Sequence, residues 1–399
     1  MSLNNIGTPY QEEKSSGSVF DALGTEAFEQ VMSDIRTRAR NNEFDSQQFI
    51  SQDVIEKFRS LGIYRALVSK KFGGDEITAA QFCEVVEEIS KADGSAGWVA
   101  SFGIGAIYLS ALPLATLEKI YADSPDIVFA GGIFPPQPAE LSAGNYNVKG
   151  RWSWSSGSKG ADMIGVGILP KDGAGETIGA PRMAVMPSSK LTIEHNWDVT
   201  GMAGTGSHDL VVNNVDVPED WTCIRGGASS LEGTIFRYPS LSLATQVLAV
   251  VSLGIARAAL DELKAMAAGR ASVTGAPNIG ERPLTQAEVA KADADLRAAR
   301  CFFYDSINDA WQTLEKNEDL SVQQISLLRL SSTHASRVGA DVARRVQMVS
   351  GMTGVYKSSP LSRFVNDAQV VTQHAFMGDI TWQNAGAIFF GQKPLPGYL

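Results

Sequence analysis

The chain has 399 residues, 44% of them hydrophobic and 20% charged, ordinary for a globular protein with room for two or three cores. A net charge of −10 without a Lys/Arg cluster argues against nucleic acid as a partner, and no apolar run approaches the roughly 20 residues that span a bilayer. Three scattered cysteines (Cys83, Cys223, Cys301) fit neither a disulfide framework nor a metal site, and segment 1–17 lacks the character of a signal peptide, so a soluble cytoplasmic protein without a metal is expected.

Residues 20–125 carry helical periodicity. Val54-Ile-Glu-Lys-Phe58-Arg-Ser-Leu61 and Phe82-Cys-Glu-Val-Val86-Glu-Glu-Ile89 place apolar residues three or four apart. The Gly73-Gly74 pair after Phe72 marks a turn. From 126 to 225 the texture changes to short β-rich runs broken by Gly, Pro and Ser, among them Ile127-Val-Phe-Ala, Ile164-Gly-Val-Gly-Ile and Met183-Ala-Val-Met. Their spacing predicts a barrel or sandwich. From 235 to 399 the pattern is helical again, with helices expected over 240–268, 285–315, 322–350 and 360–375 and packed as a four-helix bundle. The prediction is an α+β protein whose β-domain lies between two helical domains.

Four blocks, in order, resemble the acyl-CoA dehydrogenase superfamily, a resemblance covering about residues 25 to 390. They are Phe72-Gly73-Gly74 with Ala92-Asp93-Gly94-Ser95; Gly150-Arg-Trp152-Ser-Trp154-Ser155-Ser156-Gly157; Trp197 through Gly201-Met202-Ala-Gly204-Thr205-Gly206-Ser207 to Val217-Pro218-Glu219; and Gln347 through Gly351, Gly354, Tyr356, Pro360 and Arg363 to Asp367. The resemblance implies a bound flavin and, by family habit, a homotetramer with the flavin at a subunit interface. It makes Trp154, Ser155, Ser156, Arg270, Gln347 and Gly351 the cofactor-binding candidates, with Ser156 the flavin-contacting hydroxyl ahead of Ser155. The chemistry of the turn agrees: an isoalloxazine needs a flat apolar wall and small donors at its N5/O4 edge, which a Trp beside two Ser can supply. An ordinary β-turn with a core Trp is the competing account. Arg270 resembles the family's phosphate-reaching Arg, and equally suits a cation at a helix C-terminus. Gly204-Thr205-Gly206-Ser207 lacks the Lys and the following helix of a phosphate loop, so a tight β-connection is expected, with His208 facing solvent.

The base of the dehydrogenases is missing. One family position for the α-proton-abstracting glutamate matches Ala375 and the other falls near Ala244, and no Glu lies between Glu232 and Glu262. His374 stands beside the first gap. That combination resembles the flavin-dependent monooxygenases of the same fold, in which a His at the matching position lies against the flavin. With an ordinary pKa near roughly 6.5, His374 can hold a proton by hydrogen bonding or take one from substrate. It is therefore the catalytic candidate, with Ser156. A buried structural histidine is the plainer account.

The resemblance thus implies the oxygenase component of a two-component system. Reduced FMN or FAD would come from a separate NAD(P)H:flavin reductase, since no nicotinamide-binding fingerprint is present. Reduced flavin and O₂ would form a C4a-(hydro)peroxyflavin that oxygenates a small phenol-, indole- or thiophene-like molecule. Trp98, Phe102 and Tyr108 are candidates for an apolar substrate pocket, or for plain core. The phenol-binding His that the group often carries on this helix is absent, which favours a neutral ring over a phenolate. Arg363 and Asp367, four apart, are expected to form an ion pair. Two other readings stand: an acyl-CoA dehydrogenase using Glu232 or Asp379 as base, and a non-enzymatic scaffold.

Overall fold

Thr25 and Thr78 each accept a backbone N–H through their hydroxyls and open helices on either side of the first core. The computed structural model describes residues 17–267, 275, 277–395 and 397–398. Its N-terminal block comprises α1 (Glu26–Arg40), α2 (Glu43–Gln47), α3 (Gln52–Ser60), α4 (Ala79–Ala92), α5 (Gly94–Ala100), α6 (Gly105–Leu109) and α7 (Leu114–Ile120). In α1 the buried residues Phe28, Met32, Ile35 and Ala39 recur at helical spacing. Asp93 ends α4 and caps α5 by accepting the Ala96 N–H at 2.9 Å, which turns the chain sharply and brings Trp98 inward.

The β block forms one seven-stranded sheet: β1 (Phe129–Ser142), β2 (Asn145–Ser155), β3 (Met163–Lys171), β4 (Arg182–Pro187), β5 (Thr192–Glu194), β6 (His208–Pro218) and β7 (Thr222–Cys223), in the order β5-β6-β2-β1-β3-β4-β7. A turn with positive φ at Ala143 (48°) and Gly144 (78°) joins β1 to its antiparallel partner β2, matching the strands' right-handed twist. β1 and β3 run parallel, and their register shifts between Gly132 and Gln137. The barrel or sandwich expectation thus resolves into a single bent sheet with β5 and β7 at its edges. Trp152, fully buried, anchors it by donating its indole N–H to the Gly167 carbonyl at 2.9 Å.

After α8 (Thr234–Arg237) come α9 (Ser240–Ala267), α10 (Pro283–Glu315), α11 (Val322–Val349), α12 (Pro360–Gln373) and α13 (Ile380–Phe389). The four long helices α9 to α12 pack on one another, and α9 also lies along α4. By length and hydropathy α9 could cross a membrane, an apolar run the sequence reading passed over. Yet 89% of its most apolar window is buried inside the protein, as in a core helix. Glycines set the crossings. A Cβ on Gly254 would sit 2.5 Å from the Glu87 carbonyl of α4, and one on Gly339 would sit 2.6 Å from the Ser252 carbonyl of α9. Glu87, buried in α4, accepts from Arg300 at 2.8 Å and from the Tyr304 hydroxyl at 2.7 Å, tying α4 to α10. Arg270 lies outside the described residues.

Candidate functional site

Ser359 caps α12 and Pro360 occupies its first turn, as the absence of a proline N–H allows. The helix buries Leu361, Phe364, Asp367, Ala368 and Val371 against the bundle and stops at Gln373. His374 is therefore not a helix-face residue as predicted. It is the cap, with extended backbone (φ −63°, ψ 139°), and that turn carries its ring inward. Its Nδ1 accepts the Phe376 N–H at 3.2 Å, so the neutral ring carries its proton on Nε2. Phe376 and Trp98 meet the imidazole edge-on at centroid distances of 4.7 and 5.7 Å. Burial, and then the nearby Arg225 cation, push its pKa down to about 4.

Of the three aromatic candidates, Trp98 on α5 meets this imidazole, while Phe102 lies on the following turn and Tyr108 on α6 lies under Arg225. Trp98 is 7% exposed, while Phe102 and Tyr108 are half-buried against the core. Gly157 supplies the left-handed φ of 70° that ends the Ser156 turn, beside Phe102 and Val99. Arg225 completes the cluster and was not singled out from sequence. Its guanidinium lies 5.1 Å from the Tyr108 ring centre and 5.5 Å from that of Phe376. Only its position just after β7 in a loop could have drawn notice, and a lone loop Arg carries no signal.

The hydroxyls at the end of β2 are organised. Ser156 Oγ is 2.6 Å from Ser207 Oγ, and Ser207 Oγ is 2.7 Å from Thr205 Oγ1. Thr205 donates onward to the Met202 carbonyl at 2.7 Å. Ser155 is fully buried, and its hydroxyl has no hydrogen-bond partner among the described residues. Trp154, with φ 63°, is 69% exposed and offers a free aromatic face beside these hydroxyls. An exposed indole with an unpartnered hydroxyl next to it fits the edge of an isoalloxazine. Gly204–Ser207 is the tight connection expected, a turn flanked by left-handed Met202 and Gly206. His208 corrects its expectation: it is fully buried, and its Nδ1 accepts the N–H groups of Asn196 and Trp197, both at 3.2 Å.

The C-terminal candidates lie elsewhere. Gln347 donates to Ser362 at 3.0 Å near the start of α12, and Gly351 (φ 62°) sits on open surface beside it. The length of α12, 14 residues, separates them from His374 by about 20 Å. The predicted Arg363–Asp367 ion pair is not formed within 4 Å. Arg363 faces Asp93 at 3.7 Å and donates to the Ala39 carbonyl, while Asp367 accepts the Met202 N–H at 2.6 Å. Each side chain finds a partner on another element, and a pairing along the helix is lost. Glu232 is exposed, and Asp379 is 90% exposed and paired with Arg337 at 3.3 Å, so neither serves the His374 pocket as a base. Ala244 is buried and Ala375 exposed, so both family base positions stay empty.

Helices, one sheet and a helical bundle in this order, with the base positions vacant and an imidazole in their place, define a flavoprotein scaffold turned from proton abstraction. The chain belongs to the acyl-CoA dehydrogenase family. Residues 23–113 match its N-terminal domain and residues 246–379 its C-terminal domain. Within that family it is a flavin-dependent monooxygenase. It is 62% identical to the indole-3-acetate monooxygenase of Pseudomonas putida, over 94% of this chain and 95% of that one. With the indole-3-acetate monooxygenase of Acinetobacter baumannii it shares 55% identity, over 92% and 94%. In fold it matches the 3-HSA hydroxylase of Rhodococcus sp. RHA1 (TM-score 0.86, 22% identity, 96% and 99% covered). It also matches the dibenzothiophene monooxygenase of Paenibacillus sp. A11-2, solved with FMN and indole (TM-score 0.80, 20% identity, 93% and 99% covered).

Proposed function

We propose that this monooxygenase inserts one oxygen atom into indole-3-acetate or a close aromatic relative, bound between Trp98, Phe102, Tyr108 and Phe376 with His374 at the reacting end. The observation that carries the reading is His374 itself: a neutral imidazole with Nδ1 occupied by the Phe376 N–H and Nε2–H left to donate, set edge-on between aromatic rings. Bound reduced flavin supplies activation of O₂. The chain's own part is to orient, exclude water and hold a proton. Nε2–H of His374 holds its proton where charge develops, without adding a cation. The aromatic walls keep water out and seat a flat ring.

Reduced FMN or FAD, delivered by a separate NAD(P)H:flavin reductase, is held at its ring by Trp154, Ser155 and Ser156. Ser156 is oriented by Ser207 and Thr205. Gln347 and Gly351 would serve the remote part of a flavin bound to a neighbouring copy, given their distance from His374, and Arg270 would pair with its phosphate. A homotetramer fits the apolar surface of the C-terminal block, where Met348, Met352, Tyr356, Phe389 and Phe390 are 65 to 79% exposed. A cytoplasmic setting fits the free thiols of Cys83, Cys223 and Cys301.

The test is to mix anaerobic protein, reduced FMN or FAD and indole-3-acetate with ¹⁸O₂ and analyse the product by mass spectrometry. One ¹⁸O atom in an oxygenated product is expected. Hydrogen peroxide alone, with substrate recovered intact, would overturn the proposal.

A further inference from the structure

The charged groups of this protein are mostly paired. Arg38, Arg59, Arg65, Arg257, Arg300, Arg345 and Arg363 each have a carboxylate within 4 Å. Arg225 does not: among the described residues no carboxylate lies within that distance, in a chain with a net charge of −10. It is half-buried, lies over the rings of Tyr108 and Phe376, and makes one long contact, Nη2 to the Tyr108 hydroxyl at 3.4 Å. A guanidinium drawn out of water needs an anion, and its planar fork matches a carboxylate. A second cation adds to the local potential: the buried Arg329 lies 5.8 Å from the Phe376 ring centre, fixed by donation to the Tyr398 carbonyl at 3.0 Å.

Phe376 is the ruler of this arrangement. His374 meets it at 4.7 Å and Arg225 at 5.5 Å, so imidazole and guanidinium flank one aromatic ring. A carboxylate borne by an aromatic substrate would give this guanidinium the anion it lacks. We infer that Arg225 forms an anion subsite that binds the carboxylate of an aryl acetic acid and thereby sets which ring atom faces His374. Tyr108 holds the guanidinium in place by its ring face and its hydroxyl. The inference rests on the proposed oxygenation of an indole-3-acetate-like substrate and assigns the group that reads its charge.

The test compares indole-3-acetate with its neutral isostere indole-3-acetamide on wild type, Arg225→Gln and Arg225→Lys. Equilibrium binding is measured by calorimetry, and turnover with reduced flavin and O₂ follows. Loss of a charge-assisted hydrogen-bonded pair predicts about 10- to 100-fold weaker binding of the acid to Arg225→Gln. The amide should change by less than about 3-fold, and Arg225→Lys should recover part of the acid's affinity, because it keeps the charge without the fork. KM for the acid should rise in step with Kd. Equal losses for acid and amide, or an unchanged acid affinity, would overturn the anion subsite while leaving the oxygenase reading intact. Binding of neither compound by wild type would overturn both.

Discussion

Replacing Asp367 with Asn asks where a proton resides in the core between α5 and α12. Asp367 is 1% exposed; its Oδ1 accepts the Met202 N–H at 2.6 Å, and its Oδ2 has no partner among the described residues. Asp93, Asp45 and Arg363 share this region, so several carboxylates face one guanidinium. Asp93 is fixed as the cap of α5 and lies 3.7 Å from Arg363, which leaves Asp367 to carry the proton. Burial first, and the Asp93 charge second, push Asp367 up to about 8. An unfolded Asp titrates near about 3.9, so between roughly pH 4 and 8 the folded chain keeps a proton that the unfolded chain has released. Stability therefore falls as pH rises through that window, by at most about 1.4 kcal/mol per pH unit. Asp367→Asn keeps an oxygen acceptor for Met202 and removes the titration. The stability difference between variant and wild type should grow in the variant's favour from pH 5 to pH 8, by up to about 4 kcal/mol. Urea unfolding across that range at fixed protein concentration measures it. The opposing slope from His374 is common to both proteins and cancels. Parallel pH curves would refute the argument, since they would mean that Asp367 is ionised throughout.

His374→Ala should cut oxygenated product per flavin oxidised by about 100-fold, the lower range for a lost proton-handling group, with hydrogen peroxide making up the balance. Because the ring's pKa lies at about 4, the wild-type rate should show no His374 ionisation between pH 5 and 8 and should fall only as pH approaches 4. A rate that drops with a midpoint near 6.5 would contradict this. Ser156→Ala leaves the Ser207 hydroxyl one partner short, and should cost about 1 kcal/mol of stability and weaken reduced-flavin binding in an anaerobic titration. Gly254→Ala puts a Cβ 2.5 Å from the Glu87 carbonyl and should lower stability by about 1–3 kcal/mol, seen as a lower thermal midpoint; an unchanged midpoint would show that the α4–α9 crossing can open.

Layout and helices were legible because periodicity reports burial, and burial made them. Expected helices over 285–315 and 322–350 appear as Pro283–Glu315 and Val322–Val349. Trp98, Phe102 and Tyr108 were legible as helical aromatics, and they sit on successive short helical segments after the Asp93 cap. Contacts set by three-dimensional neighbours were not. Arg363 prefers Asp93 on another helix to Asp367 on its own, and His208 is buried by the loop bearing Asn196 and Trp197. Arg225 was invisible because its meaning comes from rings that lie 117 residues before it and 151 after it, Tyr108 and Phe376. The four-residue rule for helix pairs assumes that no better partner arrives from elsewhere, and in a buried core one usually does.

The same reasoning explains how a fold associated with proton removal can lose its base and keep a working site. A carboxylate at position 375 would stand one residue before Phe376, whose ring centre lies 5.5 Å from the Arg225 guanidinium, and would compete for that cation with an anionic substrate. Alanine at position 375 adds no carboxylate beside that cation. His374 can lie near Arg225 because the Phe376 N–H and the burial of its ring keep it neutral, and a neutral donor neither repels Arg225 nor neutralises it. The double variant Ala375→Glu/His374→Ala makes the point testable. The new carboxylate should ion-pair with Arg225 and abolish indole-3-acetate binding, while indole-3-acetamide binding persists. Retained binding of the acid would show that Arg225 and position 375 do not communicate, and that loss of the base and recognition of the substrate's charge are separate features of this chain.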